Sequence, residues 1–396
     1  ITFDMGGTTT KTALVENGEP AKTNEYEIGA GINLSSKLVK GAGYAIKLPF
    51  IDVSEIGAGG GSLVWVNKGG LLQVGPQSAA SVPGPVCYGK GGEQVTLTDA
   101  LLTLGYINPD YLVGGSLKLE PEKARRAIEE QVCPHLDKPL LEAAFGVFTI
   151  AVANMVRAVK AVSTYRGRDP RDYTLIAFGG NGPVVALTIA QELAMNQILI
   201  PPNPGLLSAY GLMISDAEHE FVKSFQGNMQ YLNPEDIHQA HLKLIDEAVT
   251  LFEKEGYDPA KIEIHRYADI RYLGQAYELT VPVNGEGLPD LKAMTAAFHE
   301  EHFRTYAHKS ELDPLEMVNI RVVARISLEG LSDSKQPSLI KPQKVNFGTK
   351  TERLAYFGSG SGLISTSVVS RSELVGKNLR GPLIVEEYDS TCVVPP

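Results

Sequence analysis

The stretch Asp4-Met5-Gly6-Gly7-Thr8-Thr9-Thr10-Lys11 constrains the fold of this chain more than any other. Apolar, strand-like residues flank it, 1–3 before and 12–15 after, so the glycines fall in the turn of a β-hairpin. Such a turn offers bare backbone N–H groups, three threonine hydroxyls and a lysine ammonium, with a carboxylate at the end of the first strand. Phosphate oxygens need close-range donors of this kind. A phosphate-bound Mg²⁺ takes only one or two protein carboxylates, a role open to Asp4. A plain hairpin with a capped turn is the alternative; D-x-G-G-T between two apolar strands favours phosphate.

Glycine also divides the chain. Residues 1–212 hold 28 of the 40 glycines, so tight turns of the sort that wrap a ligand are concentrated there. The division predicts an α/β domain over 1–215 and an α+β domain over 216–396, with the boundary near 216–225. In the first, strands are expected at 53–56 and 63–66. A long helix is expected at 140–165, where Ala144, Val147, Ala151, Met155, Ala158 and Val162 recur on one face. A strand at 174–178, a glycine turn, a helix at 183–193 and a strand at 197–200 read as an α/β unit with parallel strands. In the second, helices are expected at 234–254, capped by Asn233, and at 288–307. Strands are expected at 262–273, 277–283, 318–328, 351–357 and 383–385.

Two further glycine runs qualify as ligand loops. Gly179-Gly180-Asn181-Gly182-Pro183 lies between a strand and a helix, where a ribose and purine rest against bare backbone at the carboxyl edge of an α/β sheet. A tight β–α turn explains it equally well until it is paired with the hairpin. Gly57-Ala58-Gly59-Gly60-Gly61-Ser62 follows a strand, and residues 75–92 read as one long turn-rich loop. Asp99 reads as a helix cap rather than a ligand. His238 with His241, and His299 with His302, are spaced i,i+3 and read as solvated helix faces, since no H-E-x-x-H accompanies them. Arg166, Arg168 and Arg171 beside Asp169 and Asp172 read as an ion-pair cluster at a helix end, with phosphate contact the lesser alternative.

A net charge of −10 argues against a broad nucleic-acid surface. The three cysteines, Cys87, Cys133 and Cys392, form no C-x-x-C pair, which fits a reducing, cytoplasmic compartment better than a disulfide framework. No apolar run approaching the roughly 20 residues of a membrane span is expected. The chain starts inside a strand-like run and ends without a helix stop, so it reads as part of a longer product.

Taken in order, FDMGGTTTK, TNEYEIGAGI, EIGAGGGSLVWV, VGPQSAASVPGPVCYGKGG, TLTDALLTLG, YRGRDPRDYTLIAFGGNGP and LSAYGLMISD resemble the hydantoinase A/oxoprolinase family. So do RYLGQAYELTVPV and GPLIVEEYDSTCVVPP, so the resemblance spans essentially the whole chain. It implies an incomplete actin-like ATPase domain followed by the α+β domain, and use of ATP and Mg²⁺. It further implies phosphorylation of the carbonyl oxygen of a cyclic amide (a hydantoin, oxoproline or lactam) to activate it for ring opening, with a hydantoinase B-type partner subunit or domain in a hetero-oligomer. A ketone carboxylase subunit of the acetone or acetophenone type is the alternative, as is a non-catalytic nucleotide-binding subunit.

The resemblance carries Asp4, Thr8 and Lys11 over as catalytic and Asp4 as the metal ligand. Gly6, Gly7, Thr8, Thr9, Thr10, Gly59, Gly60, Gly61, Gly179, Gly180, Asn181 and Gly182 become nucleotide contacts. The chain departs from the family pattern in several places. An earlier D-x-G-G-T loop has no counterpart here. Lys11 stands where many members carry Asp, in the manner of the hydantoinase and carboxylase branches. Asn181 stands for Ala, Val185 for His, and Ala80-Ser81 for Gly-Ala.

Overall fold

In the computed structural model, residues 1–23, 26–28, 44–46, 50–112, 114–327 and 351–396 are described. Residues 24–25 and 29–32 of the TNEYEIGAGI string lie outside them, as does Leu328, the expected end of a strand. Contacts divide the chain into two compact units. Unit 1 comprises Ile1–Tyr165, Asp169–Tyr210 and Pro337–Pro396; unit 2 comprises Gly211–Gln336 with Arg166–Arg168.

In unit 1, strands β1 (Thr2–Met5) and β2 (Thr10–Ala13) form the expected hairpin, with Asp4 opposite Lys11 and Met5 opposite Thr10. Strand β3 (Val53–Ile56) continues the sheet antiparallel to β2, which sets Glu55 opposite Lys11. Strands β4 (Ser62–Val66) and β5 (Leu72–Ser78) pair as a separate hairpin. The first part of the expected 75–92 loop is therefore strand: Val74 pairs with Val64, and Leu72 and Val74 are both buried, the period-2 pattern of a half-buried strand.

Helices α1 (Leu97–Thr103), α2 (Pro121–Gln131) and α3 (Leu140–Val162) follow. The α3 stripe includes Val147, Phe148 and Met155, all buried; each contributes about 1.5–3 kcal/mol by leaving water. The apolar segment around α3, Leu140–Arg166, is long and apolar enough to cross a membrane by length and composition. That corrects the expectation that no segment approaches a span; half of its 18-residue apolar window is buried within the protein.

Strand β6 (Thr174–Phe178), helix α4 (Gly182–Glu192) and strand β7 (Gln197–Leu199) make the expected α/β unit, and helix α5 (Leu207–Ile214) follows. The sheet order is β7-β6-β1-β2-β3, with β7, β6 and β1 parallel and β2 antiparallel to both neighbours. This is a mixed α/β sheet. Its topology brings the ends of β1, β3 and β6 to one edge.

Unit 2 is an antiparallel sheet backed by two helices. Strand β8 (Ala217–Asn228) runs through the residues of the expected boundary at 216–225, and the division by contacts falls earlier, between Tyr210 and Gly211. Helix α6 (Pro234–Lys254) begins as expected, with the Asn233 side chain accepting from the Glu235 N–H at 3.1 Å. Strands β9 (Glu263–Tyr272) and β10 (Leu279–Pro282), helix α7 (Leu291–Tyr306) and strand β11 (Leu315–Ile326) complete it, in the order β8-β11-β9-β10. Histidines 241 and 302 are buried, not on solvated helix faces. The His241 ring lies between the Ile237 and Tyr267 carbonyls at 3.0 and 3.1 Å, and its neutral form donates to one of them. Arg168 pairs with Glu301 at 3.1 Å within this unit, and Arg171 pairs with Asp169 in unit 1.

The last four strands, β12 (Glu352–Tyr356), β13 (Leu363–Ser370), β14 (Leu383–Glu386) and β15 (Thr391–Val394), form a small sheet that packs with unit 1. The sequence division places them with residues 216–336. Their apolar faces decide otherwise: Ala355, Val368, Ile384 and Val393 join the unit 1 core. The Tyr106 hydroxyl donates to the Tyr356 carbonyl at 2.8 Å, and the Tyr356 N–H donates to the Leu104 carbonyl at 2.9 Å.

Candidate functional site

Parallel pairing of β1 with β6 sets Asp4 beside Phe178, so the chain leaving β6 enters Gly179 alongside the Asp4 carboxylate. Antiparallel pairing of β2 with β3 sets Thr10 beside Ile56, so Gly57 leaves at the same edge. All three glycine runs therefore converge on the hairpin turn, at the carboxyl ends of strands where α/β folds take ligands.

The turn is gripped from both sides. Asn181 donates its N–H to the Met5 carbonyl at 2.9 Å and its side-chain amide to the Gly6 carbonyl at 3.3 Å. From the other side the Gly60 and Gly61 N–H groups donate to the Gly6 and Gly7 carbonyls at 3.1 and 2.6 Å. Gly59 has to be glycine for contact reasons: a Cβ there would stand 2.5 Å from the Thr8 nitrogen. Gly179 has to be glycine twice over, with φ at +81° and a Cβ position 2.5 Å from Asp4 Oδ1.

The tip remains open. Gly7 and Thr8 are exposed, and no hydrogen bond engages their N–H groups among the described residues. A Cβ at Gly6 or Gly7 would meet nothing within 4 Å. Thr8 Oγ1 lies 3.3 Å from the Ser78 hydroxyl, and Asp4 Oδ2 accepts from the Ser208 hydroxyl at 3.1 Å. Lys11 Nζ donates to Thr9 Oγ1 at 2.7 Å and pairs with Glu55 at 3.3 Å, a half-exposed ion pair that costs little to exchange.

Not every expected contact faces this opening. Thr10 is fully buried and donates to the Ala58 carbonyl at 2.6 Å, so its hydroxyl buttresses the loop beneath. Gly59, Gly60 and Gly61 are buried with their N–H groups engaged, Gly59 on Ser62 Oγ at 2.8 Å; they support the turn rather than line it. Gly182 is buried at the start of α4, whereas Gly180 is exposed.

Asp99 caps α1 as expected, but from the third helical position. It forms a capping box with Thr96, and its carboxylate also accepts from the Cys87 and Val86 N–H groups at 2.8 and 3.3 Å. Burial and this carboxylate push the Cys87 thiol pKa upward, so the thiol is an inert core group. Among the described residues no three His, Cys, Asp or Glu side chains gather as a metal-ligand set, which leaves Asp4 as a single carboxylate at the turn.

Three side chains at the rim were not singled out from the sequence: Ser208, Asp389 and Ser390. Asp389 Oδ2 accepts from the Gly205 N–H at 2.8 Å while its Oδ1 is buried without a partner, and burial pushes its carboxyl above the ordinary range. The Ser390 hydroxyl donates to the Gly180 carbonyl at 3.3 Å. Their strings, LSAYGLMISD and EEYDSTCVVPP, stand out only through the family resemblance. Nothing local in them signals that residues some 200 positions apart meet at one loop.

The hydantoinase/oxoprolinase family model matches residues 1–221, and the hydantoinase/oxoprolinase C-terminal domain model matches residues 226–396. An uncharacterized protein of Methanocaldococcus jannaschii is 39% identical over 397 residues, all of this chain and 56% of the relative. Caprolactamase subunit alpha of Pseudomonas jessenii is 33% identical over 405 residues, again all of this chain and 56% of the relative. The chain thus spans about half the length of these relatives. The crystal structure of the ATP-dependent caprolactamase from Pseudomonas jessenii matches 100% of this chain and 56% of its own, with a TM-score of 0.83 and 32% identity. A nucleotide-free structure of acetone carboxylase matches 100% of this chain and 55% of its own, with a TM-score of 0.69 and 22% identity, a likeness of fold alone. On these matches and the convergence of its three glycine loops, the chain belongs to the hydantoinase/oxoprolinase family.

Proposed function

We propose that this chain carries part of the nucleotide site of an ATP-dependent amidohydrolase subunit with an actin-like ATPase fold. Its role is to phosphorylate the carbonyl oxygen of a cyclic amide (a hydantoin, oxoproline or lactam) so that the ring can open. The observation that carries this reading is the hairpin turn itself, held rigid by Asn181, Gly60 and Gly61 while the Gly7 and Thr8 N–H groups and the Asp4 carboxylate stay available. Preorganised donors around an open, glycine-lined space are most of what phosphoryl transfer asks of a protein.

The residues fit ATP with Mg²⁺. Gly6, Gly7, Thr8 and Thr9 border the open space for phosphate, and Gly179, Gly180 and Asn181 border it for the ribose and base. Mg²⁺, when bound, supplies charge neutralisation of the phosphates, with Asp4 holding it. Lys11 exchanges Glu55 for a phosphate oxygen. Ser390 braces the Gly179–Gly180 turn, and Asp389 holds the Gly205 N–H beside Pro204, whose carbonyl accepts from Gly179. Likeness to the caprolactamase alpha subunit over the whole chain supports the cyclic-amide class and a hydantoinase B-type partner. Sequence likeness to acetophenone and acetone carboxylase subunits keeps a ketone carboxylase subunit as the alternative reading.

Calorimetric titration with Mg·ADP tests the site. Asp4→Ala should weaken binding about tenfold or more, roughly 1.4 kcal/mol. Equal affinity in the variant would remove Asp4 from the site, and no binding by either protein would remove the nucleotide role from this chain alone.

A further inference from the structure

Gly57 and Ala58 open the loop whose later glycines hold the hairpin turn, and they also line a separate cavity of about 380 Å³. That size lies within the range of small-molecule sites. It holds roughly a dozen non-hydrogen atoms at the ~30 Å³ a water molecule occupies in the liquid. Ile56 and Val74 give it an apolar floor, and Trp65 and Tyr165 add aromatic wall.

Its polar groups are few and unevenly committed. The Trp65 indole N–H is spent on the Gly75 carbonyl at 2.7 Å, and the Asn154 amide N–H on the Val74 carbonyl at 3.2 Å. Asn154 Oδ1 then accepts from the Arg157 guanidinium and orients it. Among the described residues no carboxylate pairs with Arg157. Ser54, 2% exposed, has its hydroxyl buried without a hydrogen-bond partner. Buried hydroxyls are ordinarily satisfied, so an unspent one in a cavity wall points to a ligand or a water that completes it.

One oriented guanidinium, one unspent hydroxyl, the Gln73 amide and the Tyr165 hydroxyl, set in largely apolar walls, define a narrow chemistry. A guanidinium's planar fork matches a carboxylate, and a single cation suits a monoanion better than a phosphate dianion. We propose that this cavity binds a small monocarboxylate with an aliphatic or aromatic body, Arg157 taking the carboxylate and Ser54 bonding a second polar atom. The site is distinct from the hairpin turn, and its occupancy requires no nucleotide.

Trp65 is the only tryptophan in the chain, so its fluorescence reports the cavity directly. The 396-residue chain would be titrated with hexanoate and benzoate, and in parallel with hexanamide and benzamide, at constant ionic strength and without nucleotide. Saturable changes are expected with the acids, with the amides weaker by about tenfold or more. Arg157→Gln should bring the acids down to the level of the amides. Trp65→Phe should abolish the signal while calorimetry still detects the acids. Amides binding as well as acids in the wild-type chain, no saturable response to either acid, or undiminished acid binding in R157Q would each overturn the proposal. The first two readouts need no variant to fold.

Discussion

The rim of unit 1 and the interior of unit 2 each place a carboxylate among polar neighbours, and the neighbours differ. Asp269 in unit 2 is fully buried and saturated: Thr280 Oγ1 at 2.7 Å, Asn319 Nδ2 at 2.9 Å and Arg321 Nη2 at 2.9 Å all donate to it, and Arg321 also pairs with Glu220. Asp4 in unit 1 accepts from one serine hydroxyl and faces an open glycine turn. The Asp269 oxygens are filled by donors of the fold; at the Asp4 turn the Gly6 and Gly7 carbonyls and the Gly6 N–H are consumed, and the Gly7 and Thr8 N–H groups are left. A closed network holds a sheet together, whereas an open set of donors on a rigid frame is what a ligand can use.

Removing the cation from the closed network should have the largest effect. Arg321→Ala strands Asp269 and Glu220 in the sheet and should cost about 3–5 kcal/mol, read by urea denaturation. Mg·ADP affinity in the folded fraction should not change; a parallel loss of affinity would break the contrast between the two regions.

A smaller stability effect coupled to function is expected at the rim. Gly59→Ala puts a methyl group 2.5 Å from the Thr8 nitrogen. The turn or the loop must shift, at about 1–3 kcal/mol, and Mg·ADP affinity should fall with it. A variant of wild-type affinity would show that the shape of the tip does not govern binding.

The smallest effect concerns pH. Burial holds the His241 pKa below its ordinary 6.5 despite two nearby carbonyls, so folding favours the neutral ring. A depressed folded-state pKa contributes stability that is fully present above 6.5 and is lost as pH falls through the folded value. The wild-type Tm should therefore drop between about pH 7.5 and 5.5, and His241→Gln should flatten that slope. An unchanged slope would mean that other groups dominate the acid limb.

Much of the frame was legible because its signals are local. The period of α3, the cap of α6 at Asn233 and the glycine turns after β1, β3 and β6 are written in residues near one another, and the structure places each within a few positions of expectation. What failed to be legible depends on distant partners. Strand β5 hides in a run rich in Gly and Pro because only its pairing with β4 makes it a strand. The i,i+3 spacing of His238 and His241 is the same whether their helix face meets water or a sheet. The strands of 351–396 pack on the core of residues 1–210, a choice that depends on which apolar face finds which partner.

By itself the sequence determined that this chain carries a D-x-G-G-T hairpin and two glycine turns at strand ends, because turn chemistry and strand alternation act over a few residues. Tertiary structure alone decided which of those groups remain for a ligand. Thr10 and Gly59 to Gly61 are the same residue types as Thr8 and Gly7, yet the former are spent on backbone carbonyls and side chains while the latter stay open. Strand register and loop convergence set that difference. A hydrogen-bonding group is available only when the folded chain has not already used it.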